Sequence, residues 1–350
     1  MGVKKLLASW IDRLSRQGHE KRRREEERER AFLENGSKAL EALIVSCNGR
    51  PIPIRTFSYE ELRRATNNYD QGRLLDHSWF YEFYEGSFDG RTILVKTCTK
   101  VTRSEYAITD LATSAQASAH GNVLKLVGCC LENPLPTLVF ESVQHGTLAD
   151  RIDEFGGHGS PFMTWQSRLK VARDIAHAIT YLHIAFSRPI IHRYINPSNI
   201  FFDQHEIPKL SGFSLSISIP EGETHVEDFV RGTTGYMCPD YVATGCITEK
   251  VDVYSFGMLL LVLLTGPRAY RDLAKTWDGS YLIDNVRELG EINHIVDPAI
   301  FVGETSGARM EQQLQGVLQL AFICLDKDPV RRPTMMDVTK ELRRIGKSVC

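Results

Sequence analysis

Short stretches of this 350-residue chain carry the side chains that could do chemistry. They are "ILVK", ending at Lys96; "IIHRYINPSNIFFD", with His192, Arg193, Tyr194 and Asn199; and "PKLSGFSLS", with Gly212, Phe213 and Ser214. Further on come "GTTGYMCPDY" with Asp240, "KVDVYSFG" with Asp252 and "DPVRRPT" with Arg332. A lysine ammonium can hold phosphate, and an asparagine amide can give one ligand to a metal. Activating a hydroxyl also needs a base, and the residue after His192-Arg193 is tyrosine, a phenol of pKa about 10 that stays protonated near neutrality. Gly212 has no side-chain oxygen with which to grip a divalent ion.

The elements that must position these groups fall into two blocks. "FYEFYEGSF" and "RTILVKTC" alternate in polarity around Asp89-Gly90 and predict an antiparallel hairpin. A helix near 104–119 follows, then strands in "LKLVGCCLE" and "PTLVFES". After about residue 144, "SRLKVARDIAHAITYLH", "KVDVYSFGMLLLVLLTG" and "MEQQLQGVLQLAFICL" are long, apolar-striped and therefore helical. The expectation is an α+β chain, with a sheet-rich lobe over 57–142 and a larger helical lobe over 143–346.

Ahead of the lobes, residues 1–48 form a charged helical extension and "NGRPIPIR" places a linker over 49–56. Leu7, Trp10, Ile11 and Leu14 recur at helical spacing, "HEKRRREEERERAF" suits a solvated helix, and "ALEALIV" resumes the apolar pattern. The two apolar flanks are the docking candidates, for the chain's own domain, a partner or a membrane. The myristoylation pattern M-G-x-x-x-[ST] is incomplete, since position 6 is leucine.

With 42 basic and 44 acidic side chains the net charge is −2, which gives no overall field for nucleic acid or an anionic membrane. The eight cysteines contain no C-x-x-C pair, so they are expected to be reduced thiols, mostly small buried hydrophobes of an intracellular protein. The run Met258 to Leu264 falls well short of the roughly 20 residues that span a bilayer. A cytoplasmic location follows as an expectation, with peripheral contact at the plasma membrane left open.

In this order and at these spacings the stretches resemble the protein kinases, from about residue 57 to 346. "RTFSYEELRRATNNYD" and "GTTGY" resemble the plant receptor-like kinases, and "LKLVGCCLE" their cytoplasmic members. "ENGSKALEALIVSCNGRPIPIRTFS" and "SGFSLSISIPEGETHVEDFV" are similar to the ZRK-type pseudokinases among them. The resemblance implies a bilobal protein-kinase fold, a small antiparallel-sheet lobe before a large helical one. It also implies an adaptor in plant immunity whose partners are a coiled-coil, nucleotide-binding, leucine-rich-repeat receptor and an effector-modified receptor-like cytoplasmic kinase. A pathogen effector is a further implied partner.

Carried over residue by residue, the resemblance puts Lys96 on the α and β phosphates of ATP. Counting back from His120, the lysine's helical partner falls at Asp110, a methylene shorter than the family's glutamate and one residue out of register, with Glu105 as the other candidate. Both features weigh against an intact ion pair. The three positions of the G-x-G-x-x-G loop hold Asp76, Ser78 and Tyr81, and Trp79 and Phe80 add bulk, so the loop is poorly suited to clasp ATP. Tyr194 stands at the base of H-R-D, and Gly212-Phe213-Ser214 at D-F-G.

His192 and Phe213 are expected to pack, Arg193 to meet a carboxylate or a phosphorylated loop, Asp252 to cap the catalytic-loop backbone, and Arg332 to pair with Asp240. Lys96 and Asn199 remain as traces of an ATP and metal site, with no cofactor required. The segment Ser214–Tyr236 takes the activation-loop position, where phosphorylation or a partner could order it.

Loss of a positioned base costs about 10² to 10⁴ in rate, and loss of the metal clamp several kcal/mol, from a starting kcat of about 1 to 100 per second. The expectation is therefore a pseudokinase. The alternatives are a weak or atypical Ser/Thr kinase that recruits another carboxylate beside Asn199, and an ATP-binding sensor without turnover.

Overall fold

The computed structural model describes residues 2–47, 54–78, 80–99, 103–152, 163–267, 269, 272, 280–301 and 307–347, with side chains from residue 19 on, Cys47 and His77 excepted. The side chains of Leu7, Trp10, Ile11 and Leu14, together with Trp79, Cys350 and most of the 49–56 linker, lie outside what is described. The chain divides into two compact units, Met1–Ala115 with Leu126–Glu141, and Gln116–Lys125 with Ser142–Cys350.

Helix α1, Gly2–Cys47, opens the first unit. Its charged stretch is laced by i,i+4 pairs such as Arg24–Glu20 at 2.5 Å and Arg23–Glu27 at 3.5 Å, each worth a few tenths of a kcal/mol at an exposed site. The helix is tied to its unit lower down. Buried Asn35 donates from Nδ2 to the carbonyls of Leu131 (3.1 Å) and Asn133 (2.8 Å), Ala39 is buried, and the Arg28 guanidinium lies 4.0 Å over the Tyr59 ring. The helical extension over 1–48 thus falls in the same compact unit as the sheet, its own domain being one of the docking candidates its apolar flanks offered.

Asn35→Ala removes both bonds and leaves two carbonyls short of a donor, a loss of about 1–3 kcal/mol. Amide exchange in residues 30–45 should accelerate more than in the sheet, and equal protection in both would show that other contacts hold α1.

Strand β1, Arg55–Thr56, corrects the linker expectation, because it pairs in parallel with β5, Leu126–Cys130. A side chain at Gly128 would run into the Arg55 carbonyl and the Phe57 ring, so glycine permits this approach. Helix α2, Tyr59–Ala65, follows a Ser58/Glu61 capping box. β2, Leu74–His77, then leads to β3, Tyr81–Phe88, and β4, Arg91–Cys98. The β3–β4 turn places Asp89 and Gly90 at φ 48° and 73°, the left-handed pair that closes a two-residue hairpin. With β6, Thr137–Glu141, the sheet runs β1-β5-β6-β4-β3-β2. Helix α3 is Ser104–Ala117.

The second unit takes residues 116–125 away from the lobe expected over 57–142. The physical reason is backbone pairing: Leu124 N donates to Leu210 O (2.9 Å) and Leu210 N to Asn122 O (2.8 Å). Short helix α4, Leu148–Ile152, precedes α5, Trp165–Ile184. Strand pairs follow: β7, Ile190–Ile191, with β10, Ile217–Ser218; β8, Ile200–Phe202, with β9, Pro208–Leu210; and β11, Val226–Glu227, with β12, Cys246–Ile247. Between the last two lies α6, Pro239–Thr244.

Helix α7, Glu249–Thr265, is apolar on all sides and buried from Val251 on, as a helix at the centre of a large core must be. There follow α8, Ser280–Leu289, α9, Ile292–Ile295, α10, Ala308–Cys324, and α11, Met335–Lys347, of which α10 packs directly against α7. Among the described residues no helix is long and apolar enough to cross a membrane. Cys129, Cys238 and Cys324 are buried free thiols, each pushed up to about 12 by burial.

Candidate functional site

In the first unit, strand β4 carries Lys96 and helix α3 carries Asp110. Lys96 Nζ stands 2.5 Å from Asp110 Oδ2, with the two side chains 3% and 0% exposed. The ion pair that sequence counting weighed against is formed. The shorter carboxylate reaches because α3 brings it close, and Ser114, one helical turn on, donates to its other oxygen at 3.2 Å. Above the ammonium lies the Tyr81 ring, 3.7 Å to its centroid, with the Phe83 ring at 5.3 Å. Strand register explains both contacts. Phe83 is paired directly opposite Lys96, and Tyr81 points to the same face two residues away. A desolvated cation–π contact of this kind is worth about 2 kcal/mol.

Of the other loop positions, Asp76 lies in β2 opposite Phe83. Ser78 closes a tight turn: its backbone N–H donates to Tyr81 O at 2.7 Å, and its Oγ accepts from the amides of Phe80 (3.3 Å) and Tyr81 (3.0 Å).

In the second unit the loop after β7 is organised by Asp252. Its Oδ2 accepts from His192 N (2.8 Å) and His183 Nε2 (2.9 Å), and its Oδ1 from Arg193 N (2.8 Å). Burial raises the Asp252 carboxyl, but the bond from His183, the charges of the two histidines and the His192 amide outweigh it and hold it below the ordinary carboxylate value. Arg193 sits at φ 64°, a left-handed conformation that a non-glycine residue keeps only when its surroundings impose it. The His192 ring packs on Phe213 at 4.9 Å.

Tyr194 is partly buried, and burial pushes its phenol further above 10, away from any role as a base near neutrality. Asn199 Nδ2 donates to the Tyr194 carbonyl at 2.8 Å, while its Oδ1 lies 2.5 Å from where a Cβ at Gly212 would stand. Gly212 itself is at φ 82°, and Phe213 and Ser214 after it are buried. Among the described residues no group of three or more His, Cys, Asp or Glu could hold a metal ion. Arg332 bonds Asp240 Oδ1 at 2.5 Å and the Asp326 carbonyl at 2.8 Å.

Sequence reading missed Asn196. Its amide donates to Tyr194 O (3.1 Å) and Thr233 Oγ1 (2.9 Å), and its Oδ1 caps the turn at Ser198 N (2.9 Å). The Asn-Pro-Ser run signals the turn; nothing local signals Thr233. Asp228 was missed as well. The Arg193 guanidinium bonds Asp228 Oδ2 (2.9 Å), Phe229 O (2.9 Å), Tyr241 Oη (2.6 Å) and Leu215 O (3.3 Å). A carboxylate of this chain thus meets the arginine without any phosphate.

Burial opposes ionisation of Asp228, but the bond and charge of Arg193 and the Phe229 amide hold its carboxyl below 3.8. A depressed carboxyl contributes above its unfolded value and stops contributing as pH falls through the folded one. Asp228→Ala should therefore speed proteolysis within 221–232 severalfold at pH 7, and the difference from the parent chain should shrink as pH falls below 3.8 through the folded value. Equal cleavage at pH 7 would show that the ion pair does not hold the segment.

Sequence comparison agrees with this geometry. Residues 87–342 match the protein kinase domain model. The chain is 39% identical to the Arabidopsis thaliana serine/threonine-protein kinase ZRK1, over 94% of this chain and 95% of that one. It is 40% identical to the non-functional pseudokinase ZED1 of the same plant, over 90% and 96%, and 37% identical to the non-functional pseudokinase ZRK2, over 98% and 97%. The chain belongs to the protein kinase domain family, and within it to the ZRK-type receptor-like cytoplasmic kinases and pseudokinases.

Proposed function

We propose that this chain is a catalytically silent kinase-fold adaptor in plant immunity. One observation carries the silence: Asn199, the sole retained metal-ligand position, has its amide on the Tyr194 carbonyl and its oxygen against Gly212, where the second ligand would be. Neither 194 nor 212 supplies a carboxylate, so no base and no metal clamp stand in line. Subgroup membership supports the partners, a leucine-rich-repeat immune receptor and a second receptor-like cytoplasmic kinase. Exposed Leu33, Leu40 and Ile44 on α1 and exposed Phe229 on the activation segment supply apolar contacts for them.

Weak kinase activity is the second reading, because ZRK1 and ZRK4 are called serine/threonine-protein kinases. A radiolabel assay of the purified chain with magnesium and with manganese separates the two. Transfer that disappears in Lys96→Met would establish the enzyme; none above background is the expected result. Affinity capture from plant tissue, with residues 1–48 present or deleted, tests the adaptor. Recovery of neither a leucine-rich-repeat receptor nor a kinase would remove that role.

A further inference from the structure

We infer that Ser78 and Tyr81 together are an internal substitute for phosphate, which keeps the first unit's Lys96 from any nucleotide. A phosphate-binding loop offers two kinds of group: backbone amides free to donate and a lysine ammonium. Both kinds are already occupied here. The Ser78 hydroxyl oxygen accepts from the amides of Phe80 and Tyr81, as a phosphate oxygen would. The Tyr81 ring lies 3.7 Å from Lys96 Nζ, Asp110 holds the same ammonium at 2.5 Å, and the lysine is left 3% exposed.

The backbone that carries the ring is paired on both sides. Tyr81 pairs with Cys98 as the first residue of β3, and its carbonyl accepts from Ser78 N at 2.7 Å. Phosphate contact at Lys96 requires the ring to leave a site in which Tyr81 is only 5% exposed. Ring removal, and not repair of the second unit, is thus the change that opens this cation to an anionic ligand.

Thermal shift and calorimetry with ATP, without metal and with magnesium, test the inference. The parent chain and Tyr81→Phe, which keeps the ring, should show no shift at millimolar ATP. Tyr81→Gly should bind at least about tenfold more tightly than the parent, with Tm raised in proportion to the logarithm of saturation. Adding Ser78→Gly should tighten binding further by freeing two amides. Placing Tyr81→Gly in a Lys96→Met/Asp110→Leu background should abolish the gain.

If Tyr81→Gly does not fold by far-ultraviolet dichroism, Tyr81→Ser serves in its place. A folded ring-less variant that gains no ATP binding overturns the inference, as does a parent chain that binds ATP as tightly as the variant. Either result leaves the proposal of catalytic silence standing, since that is judged by phosphotransfer and this by binding alone.

Discussion

Asp252→Ala is expected to lower the stability of the second unit by about 3–5 kcal/mol, the range for removing one partner from a buried charged cluster. The loss has three parts. The amides of His192 and Arg193 lose their acceptor in a site closed to water, buried His183 loses its carboxylate, and Arg193 loses the contact that holds its left-handed backbone. Asp252→Asn should cost less, because its amide oxygen still accepts one of the backbone bonds. Urea unfolding followed by far-ultraviolet dichroism measures both.

The pH dependence carries a definite sign. Asp252 has a folded pKa below the ordinary 3.8, so its contribution is complete above that value and is lost as pH falls through the folded one. The gap between parent and alanine variant should therefore narrow as pH falls in acid through that folded value. A loss under about 1 kcal/mol at pH 7 would mean that the loop is held by other contacts.

Asp110→Ala is the second large effect. It strands an ammonium that is 3% exposed beneath the Tyr81 ring, again a loss of about 3–5 kcal/mol. Replacing both partners by apolar residues of similar size behaves differently, because no buried charge remains unpaired. Lys96→Met/Asp110→Leu should recover most of the stability, to within about 1 kcal/mol of the parent. A double-mutant cycle in urea gives the coupling directly. Near-additive losses would show that Lys96 does not depend on Asp110.

Recovery in the double variant would carry a functional meaning as well. An active phosphotransferase must keep its lysine for the substrate, whereas here the pair would serve the fold alone.

Much of the molecule was legible in the residues themselves. Asp89-Gly90 between two alternating runs specified the hairpin, because only left-handed residues close a two-residue turn with the right twist. The long apolar stretch "KVDVYSFGMLLLVLLTG" specified a helix, and α7 is that helix. The absence of a carboxylate at 194 and 212 is a matter of composition and needed no coordinates.

The site's second half was not legible, and particular contacts show why. Asp110 looked too short and out of register for Lys96, since counting along the chain says nothing about how close α3 approaches β4. Asn35 meets carbonyls nearly a hundred positions away, and Asp228 meets Arg193 thirty-five positions earlier in the chain. Tyr81 reads as bulk in a loop, while strand pairing makes it a cover over an ammonium.

The sequence by itself determined the order of elements, the kinase family and the missing base and metal ligand, because each is a property of residue type and local spacing. Only the tertiary structure decided which polar groups are already occupied by one another. Hydrogen bonds and ion pairs act over about 3 Å, and distances on that scale between residues far apart in the chain are set by packing alone.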